Sequence, residues 1–246
     1  MSEVVTTPQH GGAGEGGPFL AHHFENLEQQ RAAESLGMWA FLATEILFFG
    51  ALFTGYIVYR AYYSASFEAA SGKLNILIGA INTVVLLTSS LTMALAVHAA
   101  HTGLKRMLVT CLGLTAALGA LFLVFKGIEY YTDWKLQLVP VLSFNADEWT
   151  TMKPPVNPQH VQLFLMFYYI LTLLHAVHLT VGIGLILTMM WLAQRGAFPP
   201  ANYGPVDVAG LYWHFIDVVW IFLLPLLYLI GTHTVGELNP FTAFGG

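Results

Sequence analysis

The side chains able to do chemistry in this 246-residue chain are few, and most fall in pairs. Glu45 stands alone in an apolar stretch. His98 with His101 and His175 with His178 form two His-x-x-His pairs, and His214 with Asp217 repeats the same spacing. On a helix, residues three apart share one face, so each pair presents two ligands, or a donor and an acceptor, in one direction. Two such histidine pairs plus carboxylates suggest a di-iron site or axial haem ligands. The Glu-x-x-His pairing of four-helix carboxylate sites is missing, however, and His98/His101 and His175/His178 fall at different depths in their helices. No metal or haem is therefore expected on this chain, and no residue is assigned a catalytic role. The chemistry left to these groups is proton handling, hydrogen bonding between helices or contact with lipid.

The elements that must position them are membrane helices. The chain is 56% hydrophobic and 9% charged, with a mean hydropathy of +0.64, whereas a soluble domain carries about 25% charged residues. So few charges exclude a soluble enzyme, a disordered chain and a nucleic-acid binder. Five apolar runs, about 35–59, 74–103, 107–125, 160–193 and 208–233, approach or exceed the ~20 residues that cross a bilayer as a helix. None alternates as an outer-membrane strand would. The expected fold is all-α, a polytopic bundle of five transmembrane helices spanning residues 35–234. A Gly-rich acidic tail over 1–34 and a short tail over 235–246 flank it. The N-terminal tail lacks a basic segment followed by an apolar one, so it is not read as a cleavable signal. The lone Cys111 has no internal disulfide partner.

Charge has an address but gives no direction. Residues 1–34 hold five glutamates against Arg31, a net −4 of the chain's −5. The body is nearly neutral, so no electrostatic partner is implied. Arg31, Lys105, Arg106 and Arg195 fall on the N-terminal side, and Arg60, Lys73, Lys135 and Lys153 on the other. The positive-inside count is a tie; the very short loop with adjacent Lys105 and Arg106 leans toward a cytoplasmic N-terminus. The connection between Tyr130 and His160 holds Trp134, Trp149 and several prolines and reads as interfacial, where Trp and Tyr are favoured.

A carboxylate at the bilayer centre costs about 2.5–3.5 kcal/mol on insertion scales, so each one needs a reason. Glu45 lies about eleven residues into the first helix, roughly 16 Å deep at 1.5 Å per residue. Two readings stand: packing by a hydrogen bond to another helix, or a proton-handling or lipid-associated site. His175, His178, His214 and Asp217 fall at comparable depth, and a buried polar cluster with Glu45 is the economical arrangement, with Asp217 paired to His214 or to a donor on a neighbouring helix. His98, His101, Lys105, Arg106 and Trp213 are candidates for lipid headgroup contact. Lys126 and Glu129 are expected to pair at the membrane interface, and Pro225 to kink the fifth helix.

Several segments resemble subunit III of the haem–copper respiratory oxidases. The run from Gly210 through Tyr212, Trp213, His214, Phe215, Asp217 and Trp220 is similar to that family's Y-W-H-F-V-D-V-V-W signature. Thr44 to Gly50 resembles its S-E-x-x-F-F-x-G segment, and His175 to Gly182 its F-H-G-x-H-V-x-x-G. Leu86 to Gly103 is similar to its histidine-bearing helix, and Lys126 to Tyr130 to its Q-x-x-E-Y/F, with Lys126 in place of glutamine. The likeness covers about residues 35–235. It lacks the two additional N-terminal helices of seven-helix members, and with them the lipid cleft they help form. Gln159 to Gln162 also departs from the usual lead-in to the fourth helix.

The resemblance implies an accessory, cofactor-free subunit of an aa3-type cytochrome c oxidase. Such a subunit packs on catalytic subunit I beside other oxidase subunits, binds phospholipids and supports proton uptake during O2 reduction. Haem and copper would belong to the partner subunits, and a larger respiratory supercomplex is a further assembly open to it. It would be a multi-pass protein of the bacterial inner membrane with a cytoplasmic N-terminus. The alternatives are subunit III of a quinol oxidase, an accessory subunit of nitric oxide reductase, or, from other classes, an independent transporter or a haem or di-metal membrane enzyme.

Overall fold

The helices begin and end where local chemistry tells them to. The computed structural model describes residues 26–140, 142–152, 155–196, 198 and 203–233. Helix α1 runs Leu27–Tyr62, α2 Ser64–Ser71, α3 Ile76–His101, α4 Lys105–Lys135, α5 Ala146–Thr151, α6 Pro158–Gln194 and α7 Gly204–Tyr228, followed by a 3-10 turn over Ile230–His233. Asparagine caps four of the N-termini. The side chains of Asn26, Asn75, Asn145 and Asn157 accept from backbone N–H groups inside α1, α3, α5 and α6, satisfying donors that no helical carbonyl can reach.

Gly103 makes the tight turn between α3 and α4 with φ of 71°. Leu104 N donates to Ala99 O at 2.9 Å and Gly103 N to Ala100 O at 3.3 Å, the paired bonds of a Schellman stop. The same stop ends α4, where Leu138 N donates to Asp133 O and Gln137 N to Trp134 O. There the left-handed position is held by Gln137, with φ of 54°.

Five of the helices are long and apolar enough to cross a membrane: α1, α3, α4, α6 and α7. The fold is all-α, with no strand among the described residues. α3 and α4 form the closest pair, α4 packs on α6, and α7 lies against both α3 and α6, closing a four-helix core. α1 rests chiefly on α7 and only lightly on α6; α2 braces α6 and the terminal turn. Apolar side chains such as Leu47, Val84, Leu91 and Val181 cover the outer faces.

Trp213 sits at the centre of the core. A methyl group on Gly119 of α4 would come within 2.7 Å of its ring, and one on Gly182 of α6 within 3.2 Å. Glycine at these two positions lets α4 and α6 close on the indole.

Several boundaries differ from those expected. α1 starts at Leu27, inside the stretch read as tail; residues 1–25 of that tail, the 235–246 tail and Lys153 lie outside the described residues. α4 continues ten residues past Phe125, because Lys126, Glu129 and Asp133 fold inward instead of stopping the helix. The connection after it contains α5. Of its tryptophans, Trp134 is exposed, but Trp149 is buried and stacks on Phe144. Pro225 is accommodated inside α7.

Candidate functional site: buried polar groups between the helices

The Glu45 carboxylate meets His178 across the α1–α6 boundary, Nε2 to Oε2 at 3.1 Å, with both side chains 18% exposed. Phe49 packs edge-on against the imidazole and Tyr212 donates to the His178 carbonyl at 3.2 Å. The His178 Nδ1 lies 2.8 Å from the Leu174 carbonyl. A carbonyl only accepts, so Nδ1 carries a proton, and a neutral imidazole then has Nε2 as acceptor. The contact with Glu45 therefore contains one shared proton, carried by the carboxyl or by the imidazole.

A second group joins α3 to α7 in a ladder. Trp220 Nε1 donates to Thr83 at 3.0 Å, Trp213 Nε1 to Ser89 at 3.1 Å, and the Ser90 hydroxyl meets His214 Nδ1 at 2.7 Å. Ser90 also lies beside Asp217. Neither Asp217 carboxylate oxygen completes a hydrogen bond among the described residues. His175 is also buried without a partner at either ring nitrogen, packed against Phe122 and Trp220 at 5.5 and 5.1 Å between centroids.

The expected single cluster is thus divided. Glu45 and His178 are brought together, His214 pairs with Ser90, Asp217 lies beside that serine, and His175 stands apart. Helical spacing aligned His175 with His178, but His178 meets α1 while His175 packs on Phe122 of α4 and Trp220 of α7.

The headgroup candidates also separate. Trp213 is fully buried, a correction to its interfacial placement; its two glycine neighbours make room for it in the core. His101 is paired with Asp207 at 2.8 Å and packs on Tyr203, which in turn lies under the Arg31 guanidinium at 4.3 Å. A cavity of about 270 Å³ opens beside Arg31, Ser35, Tyr203 and Asp207. Lys105 donates to the Gln194 carbonyl at 2.6 Å, whereas His98 and Arg106 are exposed.

The most extensive polar site lies around Lys126, and it is buried between the helices. Lys126 and Glu129 are 2% and 1% exposed and pair at 2.9 Å. The other two ammonium protons go to the hydroxyls of Tyr168 at 3.1 Å and Tyr228 at 2.6 Å. Tyr228 passes its own proton to Glu129 Oε1 at 2.7 Å, while Tyr168 and Tyr169 donate to Asp133 Oδ2 at 3.2 and 3.4 Å. The rings of Tyr130, Tyr168, Tyr228 and Trp220 surround the ammonium at 4.6–5.6 Å, close enough for cation–π attraction. The signal was available: Lys126, Glu129 and Asp133 are spaced i, i+3, i+7, one stripe of one helix. Among the described residues no three His, Cys, Asp or Glu side chains gather as a metal-binding group.

Five apolar spans with ionisable side chains held at helix–helix contacts define an integral membrane bundle subunit. The family model for cytochrome c oxidase subunit III matches residues 161–232, that is, α6, α7 and the terminal turn. Similarity to curated relatives extends much further. Cytochrome c oxidase subunit 3 of Synechocystis sp. is 33% identical over 195 residues, 79% of this chain and 74% of that one. The subunit 3 of a Bacillus species is 32% identical over 200 residues, 80% of this chain and 85% of the relative. The cytochrome bo(3) ubiquinol oxidase subunit 3 of Pseudomonas aeruginosa is 25% identical over 212 residues, covering 86% and 92%. The chain belongs to the cytochrome c oxidase subunit III family, and membership makes it a multi-pass membrane subunit of an oxidase complex.

Proposed function

We propose that the chain is the accessory subunit III of an aa3-type cytochrome c oxidase in a bacterial inner membrane. It packs on catalytic subunit I and its neighbours, binds phospholipid and supports proton uptake while the complex reduces O2 in aerobic respiration. Haem and copper are held by the partner subunits, none by this chain. The observation that carries this reading is the 33% identity to a cytochrome c oxidase subunit 3 over most of both chains. The Glu45–His178 contact supports it: a carboxyl kept at membrane depth and sharing one proton with an imidazole suits a chain that organises lipid and tunes its partner.

Gentle extraction followed by native electrophoresis tests the assignment. The chain is expected to migrate with a large haem-bearing subunit, and the complex to oxidise reduced cytochrome c. A stable haem-free oligomer of this chain alone would favour a transporter instead. The second reading, a quinol oxidase subunit, rests on the Pseudomonas relative; turnover with quinol but not cytochrome c would select it. A reporter fused at Gly246 is expected on the face opposite a cytoplasmic N-terminus, and a cytoplasmic signal there would reverse the topology.

A further inference from the structure

We infer that the Lys126–Glu129–Asp133 cluster is a proton-binding site, with Asp133 as the group that takes and releases the proton. The argument starts from charge. One ammonium faces two carboxylates, and all three side chains are buried, Asp133 at 4% exposure. With every group ionised the cluster would hold a net negative charge out of water, which is strongly disfavoured without a compensating ion. Among the described residues every titratable group packed around it is a phenol except one imidazole: Tyr130 on the same helix, Tyr168 and Tyr169 from α6, Tyr228 from α7, and His175 farther along α6. None of the phenols supplies a positive charge. His175 lies against Phe122 and Trp220 with no hydrogen-bonding partner, and it would have to be charged to compensate.

Geometry then chooses between the two carboxylates. Glu129 accepts from the ammonium at 2.9 Å and from Tyr228 at 2.7 Å, one on each oxygen. That arrangement fits the ionised form, which accepts at both oxygens. Asp133 has no contact with the ammonium within hydrogen-bond distance. Its Oδ2 takes two phenols at 3.2 and 3.4 Å, and its Oδ1 accepts nothing among the described residues. A proton on Oδ1 leaves every existing bond in place and makes the cluster neutral: one ammonium, one carboxylate, one carboxylic acid. The balance is a carboxylate plus one proton from water giving a carboxylic acid, with nothing oxidised or reduced. Asp133 is also the member nearest the end of α4, two residues before Lys135, so exchange is with the face that carries the Tyr130–His160 connection.

Infrared difference spectroscopy on membranes carrying the assembled chain tests this without reference to electron donor. Native protein minus Asp133→Asn is expected to show one protonated-carboxyl C=O stretch, shifted down in D2O and lost in the variant, which keeps the amide oxygen for Tyr168 and Tyr169. An unchanged carboxyl region would overturn the proposal. A stretch seen only in Na+-free buffer would assign the site to a metal cation and overturn it as well. Lys126→Gln provides an independent arm: with the ammonium gone, Glu129 must also be neutral, so one additional protonated-carboxyl stretch is expected. Its absence in an assembled variant would count equally against the inference.

Discussion

Glu45 and His178 share one proton across the only direct polar bridge described between α1 and α6. Because His178 Nδ1 is committed to the Leu174 carbonyl, any replacement for Glu45 must offer a donor to Nε2. Glutamine does. Glu45→Gln is expected to leave assembly unchanged and turnover of the complex within twofold, a barrier change of ~0.4 kcal/mol. A tenfold loss with normal assembly would give the carboxyl a direct part in proton delivery.

Removing one side of a buried ion pair costs more than the pair itself contributes. Lys126→Met strands Glu129 and is expected to destabilise the subunit by about 3–5 kcal/mol, seen as loss of the chain from purified complex on warming. Adding Glu129→Gln should recover part of that loss. Equal thermal retention by Lys126→Met and wild type would show that the pair does not hold α4 in place.

The indole of Trp213 limits what can stand opposite it. Gly119→Ala would put a methyl 2.7 Å from Cη2 and is expected to cost about 1–3 kcal/mol through overpacking. Gly37, in α1, has nothing within 4 Å of the place an alanine methyl would take. Gly37→Ala is accordingly expected to be neutral or to stabilise by up to ~1 kcal/mol through helix propensity. Thermal denaturation of the two variants side by side separates a packing constraint from a generic glycine effect.

Gln137 holds a left-handed backbone conformation at the end of α4, where glycine would do so without steric cost. Gln137→Gly is expected to stabilise the complex by roughly 1 kcal/mol, measured as a raised Tm. A lowered Tm would mean that the glutamine side chain contributes more than its backbone strain removes.

How much of this was legible depended on whether a residue spoke through its own helix or through its neighbours. The five spans follow from run length and charge, and the inward-facing Glu45 from the cost of a carboxylate in hydrocarbon. Lys126, Glu129 and Asp133 were misleading because three charges within eight residues resemble the polar end of a span. Their partners, Tyr168 and Tyr228, are 42 and 102 residues away from Lys126. Trp213 looked interfacial because tryptophan usually is; its burial depends on Gly119 and Gly182, whose relevance appears only once α4 and α6 are side by side. The split of the expected histidine–carboxylate cluster has the same origin, since spacing reveals a common face but not which helix that face meets.

The end of α7 has a consequence for how the chain is made. Two of its last carbonyls are met by hydroxyls from α1 and α2: Tyr56 donates to Leu226 O, and Ser71 to Leu227 O at 2.6 Å, supplying donors to carbonyls at a helix end. Those donors lie 170 and 156 residues earlier, so they are synthesised and inserted long before their acceptors exist. The last turn of α7 is therefore what fastens α1 and α2. A chain lacking the last turn of α7 would leave the hydroxyls of Tyr56 and Ser71 without these acceptors, so α1, α2 and α7 depend on one another at this end of the bundle.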